Sequence, residues 1–409
     1  MSIFIERIKI KNLLSFDEEG IDFELKPLNV LIGANASGKS NFVAALRVLT
    51  FASSEFGRSI QDEFGGLNEL LWRGKDTTKA SISTTMLVPD TGEEVLFVID
   101  FGIDKNWTRI LYELFSIRKK VLKSKNKNLK DVILLIEFPI ESDLLKIFAN
   151  SRFDNPKNEI PIIIDGAMSR LPINVFADRS QSIMQTPMHP FALRIRDLIY
   201  EVKVKSFYPV FGPLFLQTPN EAGVKQDKLT REGSNLASYL AVLNEKMIVD
   251  NYILSRVSEV YPNVIGIGTT VKGGRVYVTL KEKGNRQVIL QPRISDGILR
   301  LIAILSILYQ DNPPPLLCLE EPENGLHPEV IPVLAKAIKE ASERTQLIIT
   351  THSAELLSYL DPEDIVTCER GESGGTKLER LERKRLKHWL KDYSLGDLWL
   401  KGVLGGTRY

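Results

Sequence analysis

The hydrophobic period changes along the chain, and each change marks an element. Phe4-Ile5-Glu6-Arg7-Ile8-Lys9-Ile10 alternates in the manner of a half-buried strand, and Ile21-Asp22-Phe23-Glu24-Leu25 follows as a second short one. Leu28-Asn29-Val30-Leu31-Ile32 is an apolar run, and Asn41 to Leu49 is helix-like. From Lys79 to Phe101 two strand-like stretches flank Pro89-Asp90-Thr91-Gly92, which predicts a hairpin and a β-rich lobe. Between 103 and about 235 the pattern loses its regularity, without internal repeats or sustained heptads, and is expected to be an inserted subdomain. Helical spacing returns at Leu236, Tyr239, Leu240 and Leu243. Strands are then expected near Val271–Leu280 and Gln287–Leu290, an apolar helix over Ile298–Leu308, a strand at Leu316–Leu319, a helix around Val330–Ala341 and a strand at Gln346–Thr350. Helices and strands in alternation through Val366 predict the second half of an α/β core, so the chain divides into 1–102, 103–233 and 234–409.

Composition narrows this picture. A chain of 409 residues with 43% hydrophobic content can hold two or three folding units, or one large domain with an insertion. A formal net charge of +1 excludes a globally basic nucleic-acid binder and leaves room for a local basic face. No opening segment has the pattern of a signal peptide, and the longest apolar stretch, Ile298 to Tyr309, is interrupted by Arg300 and too short to span a bilayer. A cytoplasmic protein without a membrane partner is expected. Cys318 and Cys368 lack CxxC spacing, and with four histidines they predict neither a disulfide framework nor a zinc site. Cys318 is expected to be a small core residue.

Gly33-Ala34-Asn35-Ala36-Ser37-Gly38-Lys39-Ser40 lies between the apolar run at 28–32 and the helix that follows it. Its glycines let backbone N–H groups turn inward around phosphate oxygens, Lys39 supplies a point charge to the outer phosphates, and Ser40 offers a hydroxyl to Mg²⁺ at the positive end of the helix. This is a cradle for a nucleoside triphosphate. Downstream, Leu316-Leu317-Cys318-Leu319 ends in Glu320-Glu321-Pro322, a buried strand that delivers two carboxylates to the edge of a parallel sheet. Phosphoryl transfer to water uses one acid at the metal and a second that polarises the water, and Glu320 and Glu321 take these roles in that order. Arg293-Ile294-Ser295-Asp296-Gly297 opens the apolar helix, where a hydroxyl and free N–H groups can meet an anion or can cap their own helix. Glu323-Asn324-Gly325-Leu326-His327-Pro328 is turn-forming, and Thr351-His352-Ser353 caps the strand at 346–350. One helix and one strand fit between Glu321 and His352, so both can reach the same sheet edge, where His352 would hydrogen-bond the γ-phosphate or the attacking water.

This ordered set of motifs resembles the ABC-type ATPases of the SMC, RecF and OLD kind, and more narrowly the single-chain RecF-like or AAA-ATPase-like proteins of bacteria and archaea that are often linked to phage defence. The resemblance covers residues 1–50 and about 230–409. It implies an α/β fold, an ABC-type P-loop NTPase head with a β-rich N-terminal lobe, a mixed sheet core and an inserted α/β lid subdomain. It implies ATP and Mg²⁺ as cofactors and a composite site. Gly33 to Asn41 and Glu321 of one subunit would face Ser295, Asp296 and Gly297 of a second, with ATP between them and His352 as the γ-phosphate switch. ATP would join two copies, and hydrolysis would release them. Glu320 stands where such proteins commonly have Asp, which implies altered metal geometry and slow turnover. Ser-Asp-Gly in place of Ser-Gly-Gly favours the SMC and RecF side over transporters. The glutamine that usually also contacts Mg²⁺ has three candidates, Gln61, Gln181 and Gln185. Too few residues follow His352 for the Toprim nuclease that some OLD relatives carry, so a nuclease, if used, is expected on a separate effector chain.

Residues 118–130 carry Arg118, Lys119, Lys120, Lys123, Lys125, Lys127 and Lys130 without an acid, a cluster that can track a DNA backbone or remain a solvated loop. Arg380 to Lys391 reads as an amphipathic surface helix, and the tail Tyr393 to Leu400 resembles that of the same ATPase family. Two other functions fit parts of the pattern: an ATP-binding scaffold that holds a toxic partner with little hydrolysis, and the motor subunit of a transporter.

Overall fold

A computed structural model describes residues 4–51, 56–74, 76–88, 93–104, 219–223, 226–230 and 233–405, together with the backbone of five further strands between 107 and 172. The N-terminal part supplies β1 (Phe4–Lys11), β2 (Ile21–Glu24), β3 (Leu28–Ile32), α1 (Lys39–Phe51), α2 (Phe56–Phe64), α3 (Leu67–Leu70), β4 (Lys79–Val88) and β5 (Glu93–Asp104). Strands β6 (Trp107–Lys120), β7 (Asp131–Phe138), β8 (Lys146–Ala149), β9 (Glu159–Ile164) and β10 (Ala167–Pro172) come next. After β11 (Asn220–Glu221) follow α4 (Leu236–Glu245), α5 (Leu254–Val260), β12 (Val264–Lys272), β13 (Arg275–Glu282), β14 (Ile289–Leu290) and α6 (Asp296–Leu308). The last part holds β15 (Leu316–Glu320), α7 (Ile331–Ser342), β16 (Gln346–Thr350), α8 (Ala354–Ser358), β17 (Ile365–Arg370), β18 (Thr376–Arg380), α9 (Arg383–Leu386) and α10 (Leu395–Leu400).

A five-stranded sheet in the order β15-β16-β3-β17-β18 organises the site. Its first four strands are parallel, and β18 pairs antiparallel with β17. Every residue of β3 and β16 is buried, as near-continuous apolar strands require when both faces of a sheet are covered. Leu31, Leu316, Cys318, Ile348, Val366 and Cys368 pack with α1 and the N-terminal strands. Val30, Ile32, Leu317, Leu319, Leu347 and Ile349 pack with α4, α6 and α7. Burial pushes the Cys318 thiol up and that of Cys368 up to about 12, so both are inert core residues.

The second sheet, β2-β1-β4-β5-β6-β7-β8, is antiparallel throughout. The expected hairpin is β4–β5, in register from Lys79↔Gly102 to Val88↔Glu93. Strand β5 runs on to Asp104 and pairs with β6, so this sheet continues across position 102/103. Residues 173–218 lie outside the described residues. Gln346 ties the two sheets together: its Oε1 accepts from Ile5 N–H at 3.0 Å and its Nε2 donates to the Ile5 carbonyl at 2.9 Å, so a buried amide replaces one rung of ladder.

Two local expectations are corrected. The strand expected over 271–280 is a hairpin: β12 stops at Lys272, the chain reverses at Gly273-Gly274, and Val271 faces Val276 across the pair. Alternation continuing on both sides of a two-residue turn conceals the reversal. The basic run from Arg380 to Lys391 is not one helix, since α9 makes a single turn and Trp389–Lys391 a separate 3₁₀ turn. Arg383 pairs with Asp361 at 2.8 Å and Arg385 with Glu379 at 2.6 Å, and these partners lie outside the run. The tail has a structural role. Helix α10, opened by a Ser394–Asp397 capping box, buries Leu395, Leu398 and Trp399. It lies so close to α8 that a Cβ on Gly396 would fall 2.1 Å from the Ala354 carbonyl oxygen. In the middle of α6, Leu305 is fully buried, and Leu305→Ala is expected to lower the unfolding free energy by about 2–5 kcal/mol, read from denaturant midpoints.

Candidate nucleotide site

Strand β3 is central to its sheet, and its carboxyl end passes directly into the loop 33–38, with α1 beginning at Lys39. The Lys39 side chain is buried, and its Nζ donates to the carbonyls of Gly33 and Ala34 at 2.9 Å each. Burial holds this ammonium below the ordinary lysine value of 10.5, and the Glu321 carboxylate is among the groups that oppose the shift. Gly38 has φ 112°, and a Cβ there would lie 2.1 Å from Thr376 Oγ1, so only glycine fits. The hairpin β17–β18 braces the loop from outside. Arg370 Nε donates to the Ala36 carbonyl at 3.0 Å, and the Thr376 hydroxyl lies 2.9 Å from the Ser37 carbonyl and 2.7 Å from the Ser15 hydroxyl. The Ser37 Oγ is buried with no hydrogen-bond partner among the described residues. A buried hydroxyl of that kind, beside an ammonium and a helix N-terminus, suits an anionic oxygen. Asn35, Ala36 and Ser40 are exposed and Asn41 half-buried, so the cradle opens to solvent.

The acidic residues arrive at the same edge. Glu320 is in register with Thr350, and Thr350 with Leu31, one row across three adjacent strands. At the usual strand spacing the ends of β15 and β3 are about 10 Å apart. Glu320 alternates with Leu316 and Cys318, whose face packs with α1, and the first turn of α1 carries Ser40. Glu321 leaves the strand with φ 46° and its N–H donates to the Thr350 carbonyl at 2.8 Å. A left-handed non-glycine residue ahead of a proline stores about 1–3 kcal/mol of strain, which the surrounding loop must hold. The Asn324 side chain donates to one Glu321 oxygen, and His352 Nε2 stands 3.8 Å from the other. Lys39, Glu321 and His352 therefore converge on one sheet edge.

Residues that sequence reasoning passed over complete the edge. Glu323 Oε1 accepts from the Thr351 hydroxyl and from His352 N–H, and Asn324, Arg370 and Thr376 hold the two loops as described. The acid at 323, two positions beyond Glu321, was the one available signal, and the turn propensity of its neighbours masked it.

Ser295 is the exposed N-cap residue of α6, and its side chain makes no capping bond to its own helix. Arg300 donates to the Asn324 carbonyl, and Gly297 lies against Gly325, so the start of α6 rests on the loop that follows β15. Ser295 and Asp296 stand at the surface. Among the glutamine candidates, Gln61 is exposed on α2 beside Gly66, and Gln181 and Gln185 lie outside the described residues. Of the basic cluster, Arg118, Lys119 and Lys120 end β6 in backbone register with Glu94, Glu93 and Asp131. Lys123, Lys125, Lys127 and Lys130 lie outside the described residues. Among the described residues no group of three or more His, Cys, Asp or Glu could hold a metal ion, and no helix is long and apolar enough to cross a membrane. A magnesium ion between Ser40 and Glu320 would take its other oxygens from phosphate and water, its ordinary preference.

A family model described as "AAA domain, putative AbiEii toxin, Type IV TA system" matches residues 28–358, from the first residue of β3 to the last of α8. No curated protein matches the chain in sequence. Among solved structures, an SMC head bound to the C-winged helix domain of ScpA is 14% identical, with a TM-score of 0.51 over 94% of this chain and 99% of that one. The SMC head of Thermotoga maritima is 13% identical, with a TM-score of 0.43 over 93% and 100%. An SMC head from Pyrococcus furiosus, with an extended coiled coil and bound to the C-terminal domain of ScpA, is 14% identical, with a TM-score of 0.46 over 95% and 99%. The fold is the mixed α/β fold of SMC-type P-loop heads.

Proposed function

We propose that this chain, which belongs to that AAA-domain family, is an ATP-hydrolysing switch that closes as a homodimer around ATP. One observation carries the reading: the phosphate loop after β3, Glu321 after β15 and His352 after β16 share one sheet edge, with Glu321 acting on the Lys39 charge and 3.8 Å from His352. The triphosphate would lie in the loop 33–38, with backbone N–H groups and Lys39 around its outer oxygens. Ser40 and Glu320 would hold Mg²⁺, which would offset negative charge on those oxygens when bound. Glu321, half-exposed and acceptor-only when ionised, takes the proton of the attacking water, while His352 orients that water or the γ-phosphate.

Ser295, exposed and without a capping bond to its own helix, and the exposed Asp296 beside it would supply the opposite wall from a second copy, where a helix N-terminus favours an anion. The Ser-Asp-Gly start supports the SMC and RecF side of the family resemblance over transporters. On that resemblance the switch acts in DNA maintenance or antiviral defence, with a separate effector, a Toprim-type nuclease being the first to test. Phosphate release from ATP by the purified chain tests the reading, and a chain that binds ATP without releasing phosphate would refute hydrolysis. Ser295→Glu is expected to leave monomer affinity for ATP unchanged and to weaken ATP-dependent dimerisation about tenfold or more, because a carboxylate would face the γ-phosphate. Light scattering with and without ATP reads this directly.

A further inference from the structure

We propose that Glu323 is a positioning residue that fixes His352 against Glu321 and so governs the hydrolytic step without touching the nucleotide. The inference rests on the ATPase reading above. The loops that follow β15 and β16 meet at this one carboxylate: its Oε1 accepts from the Thr351 hydroxyl and, at 3.3 Å, from the His352 backbone N–H. Thr351 is itself held on both sides. Its N–H donates to the Leu31 carbonyl in β3 at 3.1 Å, and its hydroxyl accepts from Ser353 N–H at 2.9 Å. The imidazole of the same His352 stands 3.8 Å from Glu321 Oε1. Glu321, Pro322, Glu323 and His352 therefore form a closed ring, joined once through a main-chain N–H and once through an imidazole nitrogen. At the end of β16 the chain leaves the ladder, and this bond holds the His352 N–H at the point where it does so. Because Leu31 lies just ahead of Gly33, the same anchor registers His352 to the strand that carries the phosphate loop.

The second oxygen, Glu323 Oε2, is buried with no hydrogen-bond partner among the described residues, an arrangement that a turn selected for stability alone would avoid. Burial first, and then the neighbouring Glu321 charge, raise the pKa of Glu323, against the bonds from Thr351 and His352. A neutral side chain that accepts through one oxygen meets the geometric requirement, so glutamine is the conservative replacement and alanine the disruptive one.

The test measures steady-state ATP hydrolysis and ATP affinity on the full chain for Glu323→Ala, Glu323→Gln, Thr351→Val and Thr351→Ser. Glu323→Ala is expected to lower kcat about 10- to 100-fold while Kd for ATP stays within about twofold, and Thr351→Val to act in the same direction. Glu323→Gln and Thr351→Ser keep kcat within about threefold of the parent, since each retains the bond. Glu323→Ala combined with His352→Ala loses no more than His352→Ala alone, the signature of one residue acting through another. An unchanged kcat for Glu323→Ala and Thr351→Val beside an active parent overturns the inference and leaves the ATPase reading standing, as does full additivity of the double variant. A parent chain without hydrolysis overturns both.

Discussion

Glu321→Gln is expected to slow ATP turnover by about 10²- to 10⁴-fold while ATP binding survives, because the amide keeps the size and hydrogen-bonding reach of the carboxylate but does not take up the water proton. The geometry makes this a clean substitution. Glu321 is held in its left-handed conformation by the Thr350 carbonyl and by the turn to Asn324, both of which are backbone contacts that glutamine keeps. Its charge is also one that supports the Lys39 ammonium, so its removal modestly favours the lysine's neutral form. With hydrolysis arrested and the nucleotide retained, the ATP-bound dimer should accumulate. Single-turnover phosphate release and light scattering check the two halves, and rapid turnover by Glu321→Gln would move the catalytic base elsewhere.

Lys39→Ala is expected to abolish measurable ATP binding, a loss of about 10²-fold or more in affinity, since it removes the one buried cation of the phosphate loop. The fold should survive. A buried charge that burial itself disfavours contributes little to stability, so the melting temperature is expected to stay within a few degrees, about what a change under 1 kcal/mol produces. The same lysine predicts a pH dependence. Its pKa lies below 10.5, and phosphate attraction requires the protonated form, so ATP affinity should fall as pH rises through that lowered value, at a lower pH than for an ordinary lysine. Because bound phosphate raises the pKa again, binding in that range takes up a proton, which calorimetry in buffers of different ionisation enthalpy detects. Retained ATP binding by Lys39→Ala would remove the loop at 33–40 from the site.

Much of the local order was legible in the residues because it depends on short-range chemistry. The apolar runs at 28–32, 316–319 and 346–350 are strands buried on both faces, and a period of two with both faces apolar leaves few other outcomes. The phosphate loop was equally legible, since its glycines, Lys39 and Ser40 stand at the spacing a phosphate cradle needs between a strand and a helix. Less legible were turns embedded in alternating sequence, as at Gly273-Gly274, and the basic run after Arg380, where Arg383 pairs with Asp361 and Arg385 with Glu379 as well as with Glu382.

By itself the chain determined the buried strands and helices around the phosphate loop and which side chains carry charge, hydroxyl or imidazole, because these follow from composition and period. Only tertiary structure decided that the ends of β3, β15 and β16, far apart in sequence, lie side by side. Parallel pairing across long connections is set by packing on α1, α6 and α7, not by any local signal. Tertiary structure alone also placed Thr376 and Arg370 behind the phosphate loop and put Glu323 between Thr351 and His352. A hydrogen bond between residues so distant in sequence depends on where two loops meet, which no residue pattern encodes.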